Sequence, residues 1–245
     1  MARPAIEFSA VQRTLGGRTV LAGVDLAVGA GETVALVGAN GAGKSTLIRA
    51  LLDLRAIDGG RIRLEGRDHT ERQARSRLAY LPERFQPPYY LTGLGYVRYM
   101  LALYGVRAAD APIADVCGDL GLDGAALARS VRGYSKGMSQ LLGLAACLLS
   151  GRPLLILDEP MSGLDPTARQ RFQAALLRRR DAGETTLFTT HLMPDAEAVA
   201  DRVAVLHGGR IVADEAPSAL AARYHAANLE AAFVQCVAEA VPQLH

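Results

Sequence analysis

The sequence predicts an α/β fold with a mostly parallel β-sheet at its core, and three observations lead to that prediction. A short apolar run, Thr33–Val37, precedes a glycine-rich loop and a helix-forming segment. Apolar strand-like runs then alternate with helical segments in the second half of the chain. The 245 residues, half of them hydrophobic, are enough to bury a substantial core. Such alternation is typical of a sheet covered by helices on both faces.

The remaining elements follow in chain order. Short antiparallel strands are predicted before the glycine-rich loop, with a turn at Gly16 and Gly17, and one more after it: residues 6–8, 19–28 and 61–64. Residues 84–150 lack a convincing strand and predict an inserted helical subdomain. Strands return at residues 154–157, 185–189, 203–206 and 211–213, the last two pairing across Gly208 and Gly209. We expect a single domain divided into a catalytic core (1–83 and 151–215), the helical subdomain (84–150) and a C-terminal closing helix (216–245).

The glycine-rich loop predicts a nucleotide site. Only two of the 27 cationic residues are lysines, and one of them, Lys44, lies in this loop. A compact ammonium reaches between phosphates where a guanidinium fits poorly. Glycines let successive N–H groups face the phosphates, and the Ser45 hydroxyl is suited to bind Mg²⁺. The predicted ATP contacts are Gly38, Ala39, Asn40, Gly41, Ala42, Gly43, Lys44, Ser45 and Thr46. The alternative is a glycine-rich turn that contains a lysine by chance.

Two acids end the apolar strand at residues 154–157. The carboxyl edge of a parallel sheet is where α/β proteins bind ligands. We expect Asp158 to hold Mg²⁺ and Glu159 to polarise the attacking water, since phosphoryl transfer depends on positioning and charge stabilisation. The alternative is a solvated strand end.

Three further residues have both a functional and a structural explanation. Asp165, followed by proline, has the form of a helix N-cap. His191 follows a strand and is placed to donate to a γ-phosphate, although a structural histidine is the better explanation of this residue taken alone. Ser135 begins a helical run, where its hydroxyl, the helix amides and Lys136 form an anion site. Without the other motifs, Ser135 is interpreted as an ordinary helix cap.

These motifs together resemble the nucleotide-binding subunits of ABC transporters over nearly the whole chain. The loop at 38–46 resembles the Walker A motif, residues 154–159 the Walker B motif with its catalytic glutamate, 162–165 the D-loop, and His191 the switch histidine. The family signature is matched by Ser135, Lys136, Gly137 and Met138. The resemblance implies a P-loop NTPase fold of the RecA-like type.

The resemblance also implies partners and cofactors. Two subunits, either two copies of this chain or this chain with a second ABC subunit, would enclose two ATP molecules with Mg²⁺, each signature facing the other subunit's Walker A loop. A separate transmembrane permease would bind the pair at the cytoplasmic face of the inner membrane. The signature and Glu83 resemble a bacterial exporter branch that serves drugs, polysaccharides, haem or copper-site maturation.

Two positions depart from the family pattern. Glu83 occupies the usual glutamine of the Q-loop, where an acid still binds ATP-site water or Mg²⁺. Leu15 replaces the aromatic ring that stacks on adenine. We therefore expect weak base stacking and a GTP-to-ATP affinity ratio near one.

Five of the eight tyrosines lie between Tyr89 and Tyr104. A helix over residues 96–104 has an apolar arc of about 200°, twice what a core-facing helix needs. We expect part of it, including Tyr96 and Tyr99, to contact the permease. The alternative is a helix buried within its own lobe.

Composition excludes several classes. A net charge of +2 gives no reason to expect nucleic acid. Three widely spaced cysteines favour neither disulfides nor zinc and fit a cytoplasmic protein. The apolar run 141–149 is too short for a membrane span.

Two other classes of nucleotide-binding protein fit this sequence less well. A soluble ABC ATPase of translation or DNA repair usually carries two cassettes or a coiled coil, and a P-loop kinase or GTPase leaves the signature and Asp165 unexplained.

Overall fold

The computed structural model describes residues 3–240, which form ten strands and ten α-helices. The strands are β1 (Ile6–Leu15), β2 (Arg18–Val28), β3 (Thr33–Val37), β4 (Gly59–Leu64), β5 (Arg67–Asp68), β6 (Leu78–Leu81), β7 (Leu154–Leu157), β8 (Thr185–Thr190), β9 (Arg202–His207) and β10 (Arg210–Glu215). The helices are α1 (Lys44–Leu51), α2 (Arg72–Arg75), α3 (Gly93–Leu103), α4 (Asp110–Asp119), α5 (Gly124–Ala128), α6 (Lys136–Leu149), α7 (Pro166–Asp181), α8 (Met193–Val199), α9 (Pro217–Arg223) and α10 (Leu229–Ala240).

A six-stranded sheet forms the centre of the molecule, in the order β10-β9-β3-β8-β7-β6. Its five strands from β9 to β6 run parallel, and β10 pairs antiparallel with β9 across Gly208 and Gly209. The mixed α/β fold with a mostly parallel core that the sequence predicted is therefore confirmed.

Both faces of this sheet are buried, which explains why its strands are continuous apolar runs. In β3, Ala35 and Val37 join the hydrophobic cluster beneath the helices α3, α4, α6, α7 and α8. Val34 and Leu36 project to the opposite face and join the cluster shared with α1 and the N-terminal strands. The two clusters form one core layer on each side of the sheet.

The N-terminal strands form a separate antiparallel sheet in the order β2-β1-β4-β5. Gly16 and Gly17, with φ of 55° and 79°, make the two-residue turn between β1 and β2. The antiparallel subdomain is confirmed, although β1 extends to Leu15 and not only to residue 8. The second half of β1 is polar, half-exposed and without an apolar run of its own. It is a strand because β1 pairs antiparallel with both β2 and β4.

Strand β6 was not predicted, because its four residues precede Pro82 and lack flanking turn signals. It pairs in parallel with β7 at the edge of the central sheet. Residues 84–150 contain helices and one isolated bridge between Thr92 and Ser130. This agrees with the helical content predicted for that segment.

The C-terminal helical prediction needs correction where it is described. Where the segment 216–245 is described, two helices, α9 and α10, take the place of the single closing helix that was expected. His225 adopts a φ of 49°, which an α-helix does not allow, and the Asn228 side chain accepts a hydrogen bond from the Ala231 N–H. The last five residues, 241–245, and the first two lie outside the described residues.

Candidate nucleotide site

The predicted site residues follow the carboxyl ends of four parallel strands. The loop that begins at Gly38 follows β3, Asp158 and Glu159 follow β7, and His191 follows β8. Glu83 comes two residues after β6. Because parallel strands end at the same edge, this topology brings side chains far apart in sequence into one place.

The glycine-rich loop is fixed by contacts that a larger residue would not allow. A Cβ on Gly38 would lie 2.5 Å from the Leu206 carbonyl oxygen of β9. Gly43 adopts a φ of 111° and caps α1, and a Cβ there would lie 3.0 Å from the Val20 carbonyl oxygen. The two glycines therefore let the loop pass close to β9 and β2 before the helix starts at Lys44.

Lys44 is buried and held by oxygen atoms on three sides. Its Nζ donates to the carbonyl oxygens of Gly38 at 2.7 Å and Ala39 at 3.3 Å. Glu159 Oε1 lies 3.4 Å from the same nitrogen. The ammonium group therefore lies between the carbonyl oxygens of the loop and the Glu159 carboxylate.

Asp158 is 2% exposed and bonded to two hydroxyl groups. Thr189 Oγ1 donates to its Oδ1 at 2.7 Å, and Ser45 Oγ donates to the same oxygen at 3.2 Å. Burial raises the pKa of the Asp158 carboxyl above its usual range, and these two hydrogen bonds oppose the rise.

Glu159 has an unusual backbone conformation, with a φ of 48°. Its N–H donates to Thr189 Oγ1 at 2.9 Å, and its Oε2 lies 2.8 Å from His191 Nδ1. A left-handed conformation at a non-glycine residue costs about 1–3 kcal/mol and is concentrated at functional sites. The Glu159 carboxylate lies between Lys44 and His191.

One cavity collects these groups. It has a volume of about 440 Å³, and the predicted residues in its wall are Asn40, Gly41, Gly43, Lys44, Ser45, Thr46, Glu83, Glu159 and His191. Val20 and Ser162 complete the wall and were not predicted to do so. Asp158 adjoins the cavity through Ser45. Leu15 is not part of this wall, whereas Val20, five residues later, is.

The signature residues and Asp165 lie outside the wall of this cavity. Ser135 caps α6 by accepting from the Met138 N–H at 3.1 Å, and Asp165 caps α7 by accepting from the Ala168 N–H at 2.9 Å. Both capping predictions are confirmed. Lys136 lies beside Gly163, whose Cβ position is 3.1 Å from the lysine Nζ. Gly137 has room for a methyl group, at 3.5 Å from Leu164.

Thr189 also belongs to the site and was not predicted from the sequence. It is fully buried and bridges both acids, donating to Asp158 and accepting from the Glu159 N–H. The available signal was a threonine two positions before His191 in a strand that ends at the same edge.

The site's donor set fits Mg²⁺. Within residues 3–240, no three His, Cys, Asp or Glu side chains converge on a point that could hold a metal ion. Mg²⁺ bound to a nucleotide uses one or two protein oxygens and completes its shell with phosphate and water. Ser45 and Asp158 offer a hydroxyl and a carboxylate 3.2 Å apart, which matches that requirement.

Comparisons with known proteins place this geometry in a family. Residues 21–162 match the family described as ABC transporter. The chain belongs to the ABC transporter family. The matched residues, 142 of 245 (162 − 21 + 1), include the glycine-rich loop, the signature and both acids.

Relatives in the ABC transporter family are named as ATP-binding proteins. The Nod factor export ATP-binding protein I of Paraburkholderia xenovorans is 38% identical over 230 residues, covering 91% of this chain and 74% of that protein. An uncharacterized ABC transporter ATP-binding protein of Synechocystis is 37% identical over 192 residues, which are 77% of this chain. The matched part spans only 54% of that protein's length.

A solved structure of an ATP-binding subunit of an ABC transporter matches this fold with a TM-score of 0.86. It is 28% identical, and the match covers 95% of this chain and 99% of that one. ATP-binding domains of ABC transporters hydrolyse ATP to power transport.

Proposed function

We propose that this chain binds and hydrolyses ATP as the motor subunit of an ABC exporter. The observation that supports this most is the convergence of the glycine-rich loop, Glu159 and His191 on one cavity, with Asp158 bonded to Ser45 in its wall. The likeness to the Nod factor export protein supports export as the direction of transport. In this role the chain would lie in the cytoplasm against the inner membrane, held there by its permease.

Each residue of the site has a proposed task. The loop amides and Lys44 bind the triphosphate, and Ser45 and Asp158 hold Mg²⁺, which supplies charge neutralisation at the phosphates when bound. Glu159 orients and polarises the attacking water, because its carboxylate is fixed between Lys44 and His191. Glu83, in the same wall, contacts water or Mg²⁺.

The second half of each active site would come from another subunit. Ser135 is exposed at the start of α6 and lies outside the cavity wall, so its helix N-terminus is free to meet a phosphate held elsewhere. Gly137 has space for a side chain within its own chain, so its small size suits close approach by a partner. We propose a head-to-tail pair, either of two copies or with a second ABC subunit, that encloses two ATP molecules.

Glu159→Gln tests hydrolysis and pairing together. The amide keeps the size of the side chain but cannot accept a proton, so turnover should fall at least about a hundredfold while ATP binding remains. Sedimentation with magnesium ATP should then show a stable pair. The exposed Glu197→Gln substitution is the matched control and should hydrolyse ATP at the parent rate. Unchanged turnover in Glu159→Gln would contradict the assignment of the glutamate, and monomers under all conditions would contradict the pairing.

The helical segment 84–150 is the proposed permease-binding lobe. Tyr89, Tyr90, Tyr99 and Leu103 expose half or more of their surface there, and Tyr89 stacks edge-to-face on Tyr90. Exposed aromatic groups of this kind are typical of protein interfaces. Within residues 3–240, no helix is long and apolar enough to cross a membrane.

Tyr96 must be removed from the predicted interface. It is only 3% exposed and packs edge-to-face against Phe85, with ring centroids 5.4 Å apart. Tyr96 lies on the side of α3 that faces the core, whereas Tyr99 lies on the side that is exposed. Tyr99→Ser should therefore weaken capture of the permease without loss of nucleotide binding, whereas Tyr96→Ser should destabilise the fold. Equal permease capture by the parent chain and Tyr99→Ser would contradict the interface.

A soluble ABC ATPase of translation or DNA repair is the second candidate. Co-purification decides between them: a multispan membrane protein supports the exporter, and ribosomes or DNA support the alternative. The transported molecule is selected by the permease in this proposal.

A further inference from the structure

Two neighbouring helices begin next to loops of the nucleotide cavity. Helix α7 starts at Pro166, directly after the segment that contains Ser162, and α8 starts at Met193, two residues after His191. Ser162 and His191 both line the cavity. Any contact that fixes α7 against α8 therefore fixes these two loops relative to each other.

A buried polar contact joins the two helices. Asp195 of α8 is 1% exposed. Its Oδ1 lies 3.6 Å from Arg169 Nε and accepts a hydrogen bond from Gln173 Nε2 at 3.3 Å, both on α7. Arg169 is one turn from the N-cap of its helix, and Asp195 lies four residues after His191. The contact is thus placed at the ends of the helices that face the site.

The contact is not explained by stability alone. Among residues 3–240, neither Asp195 Oδ2 nor Arg169 Nε has a hydrogen-bond partner. Burial raises the pKa of Asp195, while Arg169 and the Gln173 hydrogen bond oppose the rise. Each buried polar atom without a hydrogen-bond partner calls for an explanation.

Helix α8 also has an apolar anchor that does not need the acid. Met193, Ala196 and Val199 are buried in the main hydrophobic cluster. These side chains attach the helix to the core without directional bonds, whereas Asp195 is bonded in a fixed direction to α7. The Asp195 contact therefore fixes how far α8 is shifted along its axis and how it is rotated about that axis.

We propose that Asp195 is a positioning residue for the nucleotide site, which couples the segment 162–165 to His191 through Arg169 and Gln173. His191 Nδ1 lies 2.8 Å from Glu159 Oε2, so the position of α8 sets the position of the carboxylate that polarises water. When one loop is displaced by a bound nucleotide or by a partner subunit, the other moves with it. This inference rests on the proposed ATPase function.

A double-mutant cycle tests the coupling by kinetics. Asp195→Asn and Arg169→Gln should each lower kcat about tenfold, because small displacements of a catalytic group have large effects, while KM for ATP changes less than about threefold. The double variant should be no slower than either single variant, since both remove the same link. Glu197→Gln, the same change of charge on the exposed face of α8, should keep the parent kcat and KM. Additive effects in the double variant, or a parent rate in Asp195→Asn, would overturn the proposal.

Hydrogen exchange provides a second measurement that does not depend on turnover. Asp195→Asn should accelerate amide exchange in residues 162–169, which are the loop before α7 and the first turn of that helix, while exchange in β3 stays unchanged. Asp195→Glu should keep the parent exchange rate and the parent kcat. Acceleration confined to α8 would mean that the acid only stabilises its own helix and would overturn the coupling. If the parent chain hydrolyses no ATP, the proposed function fails, and the exchange experiment still decides whether the two loops are linked.

Discussion

Thr189→Val tests whether one hydroxyl group organises both acids of the site. Valine keeps the shape of the buried threonine and removes its oxygen. The threonine hydroxyl donates to Asp158 Oδ1 at 2.7 Å and accepts from the Glu159 N–H at 2.9 Å. A hydrogen bond to a charged group contributes about 1.5–3 kcal/mol, and a buried N–H without a partner costs about 1–3 kcal/mol. These two losses add, and the extra methyl group of valine offsets part of them. We therefore expect the free energy of unfolding to fall by about 3 kcal/mol.

The same strand supplies a matched control. Thr186 is also fully buried, and among residues 3–240 its hydroxyl has no hydrogen-bond partner. Thr186→Val should leave the free energy of unfolding unchanged or raise it slightly, because it removes an unpaired polar atom. Urea unfolding of the parent chain and both variants measures the difference.

Activity should separate the two threonines further. Loss of the Thr189 hydroxyl releases Asp158 and the backbone of Glu159, so kcat for ATP hydrolysis should fall about tenfold or more, whereas Thr186→Val should keep the parent kcat. If both variants lose the same stability and the same activity, burial in β8 and not the hydroxyl bridge would be responsible, and the reasoning would be refuted.

Two further predictions concern the same edge of the sheet. Gly38→Ala places a methyl group 2.5 Å from the Leu206 carbonyl oxygen, so ATP affinity should fall and stability should drop by about 1–3 kcal/mol; Gly118→Ala, which has open space, is the control in both a nucleotide titration and urea unfolding. Burial raises the pKa of Asp158 above 3.8, so the folded state binds the carboxyl proton more tightly than the unfolded state does. The protonated carboxyl therefore contributes to the free energy of unfolding at low pH, and this contribution is lost as pH rises from 3.8 through the raised pKa. In metal-free buffer, Asp158→Asn should therefore gain stability relative to the parent chain as pH rises over that interval, and a constant difference would contradict the burial argument.

Much of the fold follows from local patterns that the sequence shows directly. The runs Thr33–Val37 and Leu154–Leu157 have the bounds that were predicted, because strands buried on both faces are continuously apolar. Ser135 and Asp165 cap their helices as expected, since a cap is a contact between residues three apart.

Errors occurred where neighbours in space decide the outcome. Strand β6 is too short to be recognised without β7 beside it, and β1 extends because β2 and β4 pair with it. Tyr96 and Tyr99 are three residues apart on one helix, yet only the packing of Phe85 shows which of them is buried.

The sequence by itself determined that a glycine-rich loop precedes a helix and that two acids end a buried strand, because glycine spacing and apolar runs act over a few residues. Only the tertiary structure decided that Thr189 bridges those acids from 31 and 30 residues away, and that Asp195 joins α8 to α7. Such contacts depend on which strands are neighbours, on their parallel register and on how helices pack across the sheet. Those relations arise from the burial of both sheet faces as a whole, and no short stretch of sequence contains them.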